Sequence, residues 1–176
     1  MNFKIAVGAL LYLAMVGPGH SAGKRDVFGL TTGMPQEQVT KLVSERGWSC
    51  KDPQNWKDPF GPPSRYQVVI SVECRTKEGQ QVKIYFASAL PGVPTMRIAV
   101  SFVAGGTQSV LASLKEQYGP NAREPYPWDL GNGDELRLMS ADERNFTVEL
   151  SNDRMRIEND RAAEAKENAA RPAPKF

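Results

Sequence analysis

Histidine is almost missing from this 176-residue chain. Its one copy, His20, lies in the N-terminal stretch MNFKIAVGALLYLAMVGPGHSAG, so residues 24–176 contain none. Ser–His–Asp and Cys–His nucleophile systems need an imidazole that titrates near neutrality, and beyond residue 23 they are excluded. Zinc sites that use histidine go with them, and two cysteines cannot make a four-thiolate site. Carboxylate chemistry survives, because a glutamic acid with a raised pKa can act as an acid. No cofactor is expected.

Charge of one sign is also lacking. Lys plus Arg number 22 against 20 Asp plus Glu, and the signs are mixed along the chain. Such a balance sets up no strong field for nucleic acid or anionic lipid, and it favours a solvated surface. Apolar runs are short as well. The longest, Ile5 to Val16, falls below the roughly 20 residues of a comfortable membrane span. Lys4 precedes it and the helix-breaking GPGHSAG follows, which is the layout of a secretory signal peptide. The sequence therefore predicts a signal peptide over residues 1–23, cleaved near Ser21–Gly23, with an uncleaved anchor as the alternative. No cysteine lies near that point to take a lipid. The expected location is periplasmic or secreted, with no stable membrane anchor after cleavage and no nucleic-acid partner.

Cysteine is scarce but even: Cys50 and Cys74. In an oxidising compartment such a pair reads as a disulfide. It would close a loop of roughly 25 residues, worth about 3 kcal/mol on the chain-entropy model. A redox-active or nucleophilic thiol is the alternative.

What is present is well punctuated. Gly33 allows a turn, Pro35 suits a first helical turn, and Glu37 suits the helix dipole. Val39, Leu42 and Val43 share a helical face, and Gly47 stops it. This predicts a helix over 35–46. Four prolines then make 51–65 a long loop, carrying Trp56 and Phe60. Three segments of period-two alternation follow. Tyr66 to Cys74, Val82 to Phe86 and Met96 to Phe102 each place apolar residues on one face, predicting an antiparallel meander. Gly105-Gly106 breaks the chain. Thr107 is a plausible N-cap for a helix carrying Val110, Leu111, Leu114 and Tyr118, stopped by Gly119-Pro120. A second Pro/aromatic loop, 121–133, holds Tyr126 and Trp128. Strands return at 135–139 and 146–150, and Met155 with Ile157 suggests one more.

The expected fold is α+β, with two helix-then-antiparallel-strand units, αβββ-αββ(β), and their helices packed on one face of the sheet. One domain spans 24–159, in halves at about 27–104 and 105–159. The Ala- and charge-rich segment 160–176 is expected to be a frayed helix with a disordered end.

The segment GLTTGMPQEQVTKLV resembles the Gly-Met turn and amphipathic helix of small bacterial envelope proteins of the BamE (SmpA/OmlA) type. The helix–strands–helix–strands order is similar to the wider superfamily that includes the β-lactamase-inhibitor protein. The resemblance implies tandem α/β repeats and a non-enzymatic role in binding other proteins through sheet and loops. The chain departs from it in lacking a lipobox cysteine and a second Gly-Met turn before the second helix.

Other constellations read plainly. Gly29 and Gly33 have no lysine in register for a phosphate loop. Asp129, Asp134 and Glu135 lack the spacing of a calcium loop, and read as solvated turn charges. The aromatic residues Trp48, Trp56, Phe60, Tyr126 and Trp128 either cap the core or form an exposed binding rim. Arg75, Lys83, Tyr85 and Arg97 fall on the polar sheet face, either as an ordinary solvated surface or as a mildly basic concavity for an acidic partner. The leading expectation is a non-catalytic protein-binding module of the envelope-assembly, inhibitor or immunity type, partnered by another envelope or secreted protein. A small-ligand or glycan binder using the Trp loops is the alternative, and a carboxylate-dependent cell-wall hydrolase stands behind it.

Overall fold

The structure, a computed structural model, describes residues 26–56, 69–103, 107–119, 127–140 and 145–170. The elements run α1 (Gln36–Glu45), β1 (Ser49–Cys50), β2 (Gln54–Trp56), β3 (Val69–Arg75), β4 (Gln81–Ala87), β5 (Thr95–Val103), α2 (Thr107–Tyr118), β6 (Pro127–Gly131), β7 (Asp134–Ser140), β8 (Asn145–Asn152) and α3 (Asp153–Ala170). This is a mixed α+β architecture. Among the described residues no helix is long and apolar enough to cross a membrane. The expected signal peptide (residues 1–23) and the end of the tail (171–176) lie outside the described residues.

Helix α1 ends as its sequence predicts. Gly47 sits at φ 64°, a conformation open to glycine without a Cβ penalty. Its N–H donates to the Ser44 carbonyl at 2.9 Å, and the Trp48 N–H donates to the Val43 carbonyl at 3.0 Å. The paired bonds satisfy carbonyls that the helix end would otherwise leave open. They also turn the chain sharply into β1.

All strand pairings are antiparallel, in the order β1-β3-β4-β5-β8-β7-β6, with β2 also on β3. Two meanders, β3-β4-β5 and β6-β7-β8, therefore meet along β5 and β8. There Ile98 opposes Leu150, Val100 opposes Val148, and Phe102 opposes Phe146. Period-two alternation puts Val82, Ile84 and Phe86 on the same buried side as Ile98, Val100, Val148 and Leu150. Val39 and Val43 of α1, and Val110 and Leu114 of α2, join this one apolar cluster.

Helix α3 departs from expectation. Met155 and Ile157 are helical and not a strand, and the helix continues through Ala170, well into the segment expected to fray. The reason is local and polar. Asn152 caps the helix, its Oδ1 accepting the Met155 N–H at 2.8 Å. Asn159, 0 % exposed, accepts the Ala89 N–H at 2.9 Å through Oδ1. Lys166 Nζ donates to the Ala89 carbonyl at 2.8 Å. Both backbone groups of Ala89 are thus taken by α3, while Met155 packs with Tyr85, Ala87 and Met96. Tyr85 and Ala87 of β4 have the opposite parity to Ile84 and Phe86, and Met96 of β5 joins them at the register shift opposite Tyr85 and Phe86. So α3, a helix beyond those of the two expected units, covers the second face of the sheet.

Short strands also appear in both Pro-rich loops: β1 and β2 on the edge at β3, and β6 on β7. Pro53, which has no N–H to give, falls in the gap between β1 and β2, consistent with an edge position.

Asn159→Ala tests the anchoring of α3. It strands a buried Ala89 N–H, so unfolding free energy should fall by about 1–3 kcal/mol in denaturant titrations. Proteolysis should also open first within 153–170. An unchanged midpoint would show that α3 is held by other contacts.

Candidate functional site

The aromatic residues part company in the structure. Trp128 is 5 % exposed, and its Nε1–H donates to the Gly119 carbonyl at 2.9 Å. It caps the core, and no ligand can stack on it without displacing it. Trp48 is half-buried, set edge-on to Phe28 at a centroid distance of 6.0 Å, with the Arg46 guanidinium 5.8 Å from its ring. The backbone of Trp56 pairs with Val69 in the edge strand. Its side chain, with Phe60 and Tyr126, lies outside the described residues.

The polar sheet face carries both signs of charge. Its charges alternate in sign across the strands. Lys51 Nζ lies 2.9 Å from Glu73 Oε2, and Lys83 Nζ lies 3.1 Å from Glu73 Oε1. The Lys83 and Arg97 cations each sit 5.5 Å from the Tyr85 ring. Arg97 Nε then lies 3.4 Å from Glu149 Oε1, and Arg137 bonds Glu135 at 2.6 Å. Lys51 and Lys83 share Glu73, while Arg97 and Arg137 each have a carboxylate beside them, so the field left for an acidic partner is reduced. Tyr85 is only 7 % exposed, shielded by Met155 and Leu90 around it. Arg75, at the strand end, is exposed.

Two pKa shifts follow from this arrangement. The hydrogen bond from Lys51, then that from Lys83, holds the Glu73 carboxyl below the usual range. Glu149 moves the other way. Burial pushes it above the ordinary carboxylate value, against the pull of Arg97 and Arg137. Glu149 was not among the expected site residues. Its parity, opposite to Val148 and Leu150, marks it as lying on the polar face. Its depth comes from elements distant in sequence.

Asp134 is another correction. It is 8 % exposed rather than solvated, accepting from Thr32 Oγ1 at 2.5 Å and Asn152 Nδ2 at 2.7 Å. It ties the N-terminal segment to β7 and β8. Among the described residues, no group of three or more His, Cys, Asp or Glu is arranged to hold a metal.

Two surfaces remain for recognition. The first is the edge at β1 and β2. The Cys50–Cys74 disulfide joins directly opposed residues of β1 and β3. Residues 49–54 are all exposed, yet they are held by ladder bonds, including Lys51 N–H to the Glu73 carbonyl at 2.8 Å. The second is a cleft of about 580 Å³ on the opposite, apolar face of the sheet. Phe102, Leu136 and Val148 line it from the sheet, Val110, Leu114 and Tyr118 from α2, and Phe28 and Trp48 from the N-terminal turn and the α1 exit. Arg46, Lys77, Asp26 and Glu78 complete its lining with charge.

No family model, curated protein or solved structure matches the chain.

Glu149 generates a pH prediction. Its folded-state pKa lies above its unfolded value, so the folded state holds the extra proton between the two. Across that window stability falls as pH rises. Glu149→Gln removes this dependence. Thermal melts from about pH 4 to about pH 7 should show the variant gaining on the parent as pH rises. A parent that gains on the variant would mean that Arg97 and Arg137 outweigh burial.

Proposed function

We propose that this protein is a non-catalytic protein-binding module of the periplasm or the exterior, of the envelope-assembly, inhibitor or immunity type. The proposal reads residues 24–159 as one domain of two units, each a helix followed by antiparallel strands. It keeps the resemblance to BamE-type envelope proteins and to the β-lactamase-inhibitor-protein superfamily as its model of the role. The partner is another envelope or secreted protein.

The observation that carries this reading is the pinned edge. Strands at a sheet edge offer unpaired backbone donors and acceptors to an incoming chain. Here the edge is exposed over residues 49–54 and held by the Cys50–Cys74 bridge. A segment ordered before binding loses less entropy on binding, which raises affinity without adding contacts. The missing imidazole after residue 23 weighs on the same side, against the common nucleophilic hydrolases. Two rival readings lose particular supports. The glycan-binding reading relied on exposed Trp side chains, and Trp128 is in the core. The hydrolase reading requires two carboxylates facing one cleft about 5–9 Å apart, one of them raised to serve as acid; Asp26 and Glu78 line the cleft. Glu149 is raised, but it lies across the sheet from the cleft and is not among the residues lining it.

A photo-crosslinking residue at Gln54 in cells tests the proposal, with one at exposed Met139 as the control position. Gln54 should form a discrete adduct with an envelope or secreted protein, and Met139 should not. Cys50→Ser should lower the melting temperature by roughly 5–10 °C and weaken the Gln54 adduct. Equal adducts at both positions, or a Gln54 adduct indifferent to Cys50→Ser, would count against the pinned edge as the binding surface.

A further inference from the structure

We propose that the cleft between the exit of α1 and helix α2 binds a free single-chain amphiphile with an anionic head. The alkyl chain lies against Phe28, Phe102 and Tyr118, and the head meets Arg46 and Lys77. This site lies apart from the β1–β2 edge and is independent of the partner proposed there.

Volume and depth argue for a small ligand. About 580 Å³ falls within the roughly 300–1,000 Å³ of small-molecule sites. Leu136 and Val148 belong to the core, at 1 % and 6 % exposed, so they floor the cleft, and its open wall is formed by Phe28, Trp48, Phe102 and Tyr118. Thr76, Gln80, Ser113 and Gln117 also line the cleft and can hold water, whereas the aromatic rings offer water little to bond and suit an apolar chain. Trp48 and Tyr118 supply further apolar lining with a polar tip, suited to the level where a chain gives way to its head.

The charges argue for the sign of the head. Arg46 is held in place, its Nη1 donating to the Phe28 carbonyl and its guanidinium lying over Trp48. Lys77 approaches from the β3–β4 turn. Its Nζ lies 3.2 Å from where a β carbon on Gly47 would stand. Both cations line the cleft, Lys77 beside Gly47 and Arg46 over Trp48. Neither has a carboxylate at ion-pair distance among the described residues. Of the two acidic groups lining the cleft, Asp26 has Oδ1 engaged by the Gly29 N–H at 2.8 Å. Glu78 is exposed in the turn beside Lys77 and weakens the field for an anion. The contrast between head groups is accordingly more diagnostic than absolute affinity. A positioned guanidinium with an ammonium nearby is the standard chemistry for a carboxylate or phosphate.

Calorimetric titration of the purified protein with dodecanoate below its micelle concentration tests this, with dodecyltrimethylammonium as the chain-matched cation. Dodecanoate should bind at one site, at least roughly tenfold more tightly than the cation. Lys77→Glu, on an exposed turn, should weaken dodecanoate by roughly tenfold and narrow the contrast. Leu114→Phe should fill the cleft and abolish binding of both, with a cooperative melt showing that it is folded. Equal affinity for the two heads in the parent would overturn the proposal. So would dodecanoate binding untouched by Lys77→Glu, or association only with phosphatidylglycerol vesicles and not with monomeric dodecanoate. None of these outcomes bears on a Gln54 adduct, so the two proposals fail separately.

Discussion

The antiparallel pairing of β5 with β8 is the constraint on which the rest of the molecule depends. These strands are distant in sequence, and their pairing turns two local meanders into one sheet. Ile98, Val100, Val148 and Leu150 meet there at 0 %, 0 %, 6 % and 1 % exposure. Burying side chains of this kind contributes about 1.5–3 kcal/mol each, upper values for a chain whose unfolded state is already partly compact. Phe102 and Phe146 extend the seam as a stacked pair, with centroids 4.9 Å apart.

Both faces of the sheet take their character from that seam. On the apolar side it supplies Phe102 and Val148 to the cleft, so the cleft exists only where the two meanders join. On the polar side it brings Arg97 of β5 to Glu149 of β8 and continues the alternation of charge from one meander into the other. Burial of a carboxylate beside one partly exposed guanidinium is costly unless both are well bonded, and Glu149 answers with a raised pKa. Helix α3 then lies over the neighbouring strands, locked by polar bonds to one residue, Ala89.

Local punctuation was legible in the sequence. Pro35 and Gly47 bracket α1, and period-two alternation marks β3, β4, β5, β7 and β8. The pair Cys50 and Cys74 announced its bridge through its even number and the oxidising compartment expected of the chain. The pairing of β5 with β8 was not legible, because register between distant strands leaves no local pattern. Helix α3 was half legible. Its alanines favour helix, but its anchors, Asn159 and Lys166, are polar, so no apolar stripe betrayed the docking. Met155 and Ile157 imitated a strand over three residues, too few to tell period two from a helix. For the candidate sites, residue type alone could not separate Trp48 beside a cleft from Trp128 in the core. That difference lies in a bond from the Trp128 indole to the Gly119 carbonyl, nine residues away in sequence. Arg97 and Lys83 looked like a basic patch because Glu73 and Glu149, which compensate them, come from other strands.

Native-state hydrogen exchange tests the seam most directly. If β5 and β8 join the meanders into one cooperative sheet, the central amides of both strands, from Ile98 to Val100 and from Val148 to Leu150, should exchange last. They should share a single opening free energy. If β6, β7 and β8 instead exchanged as a separate and faster unit while β3, β4 and β5 stayed protected, the seam would not hold the fold together. The cleft and the ladder of charges built on it would then lose their foundation.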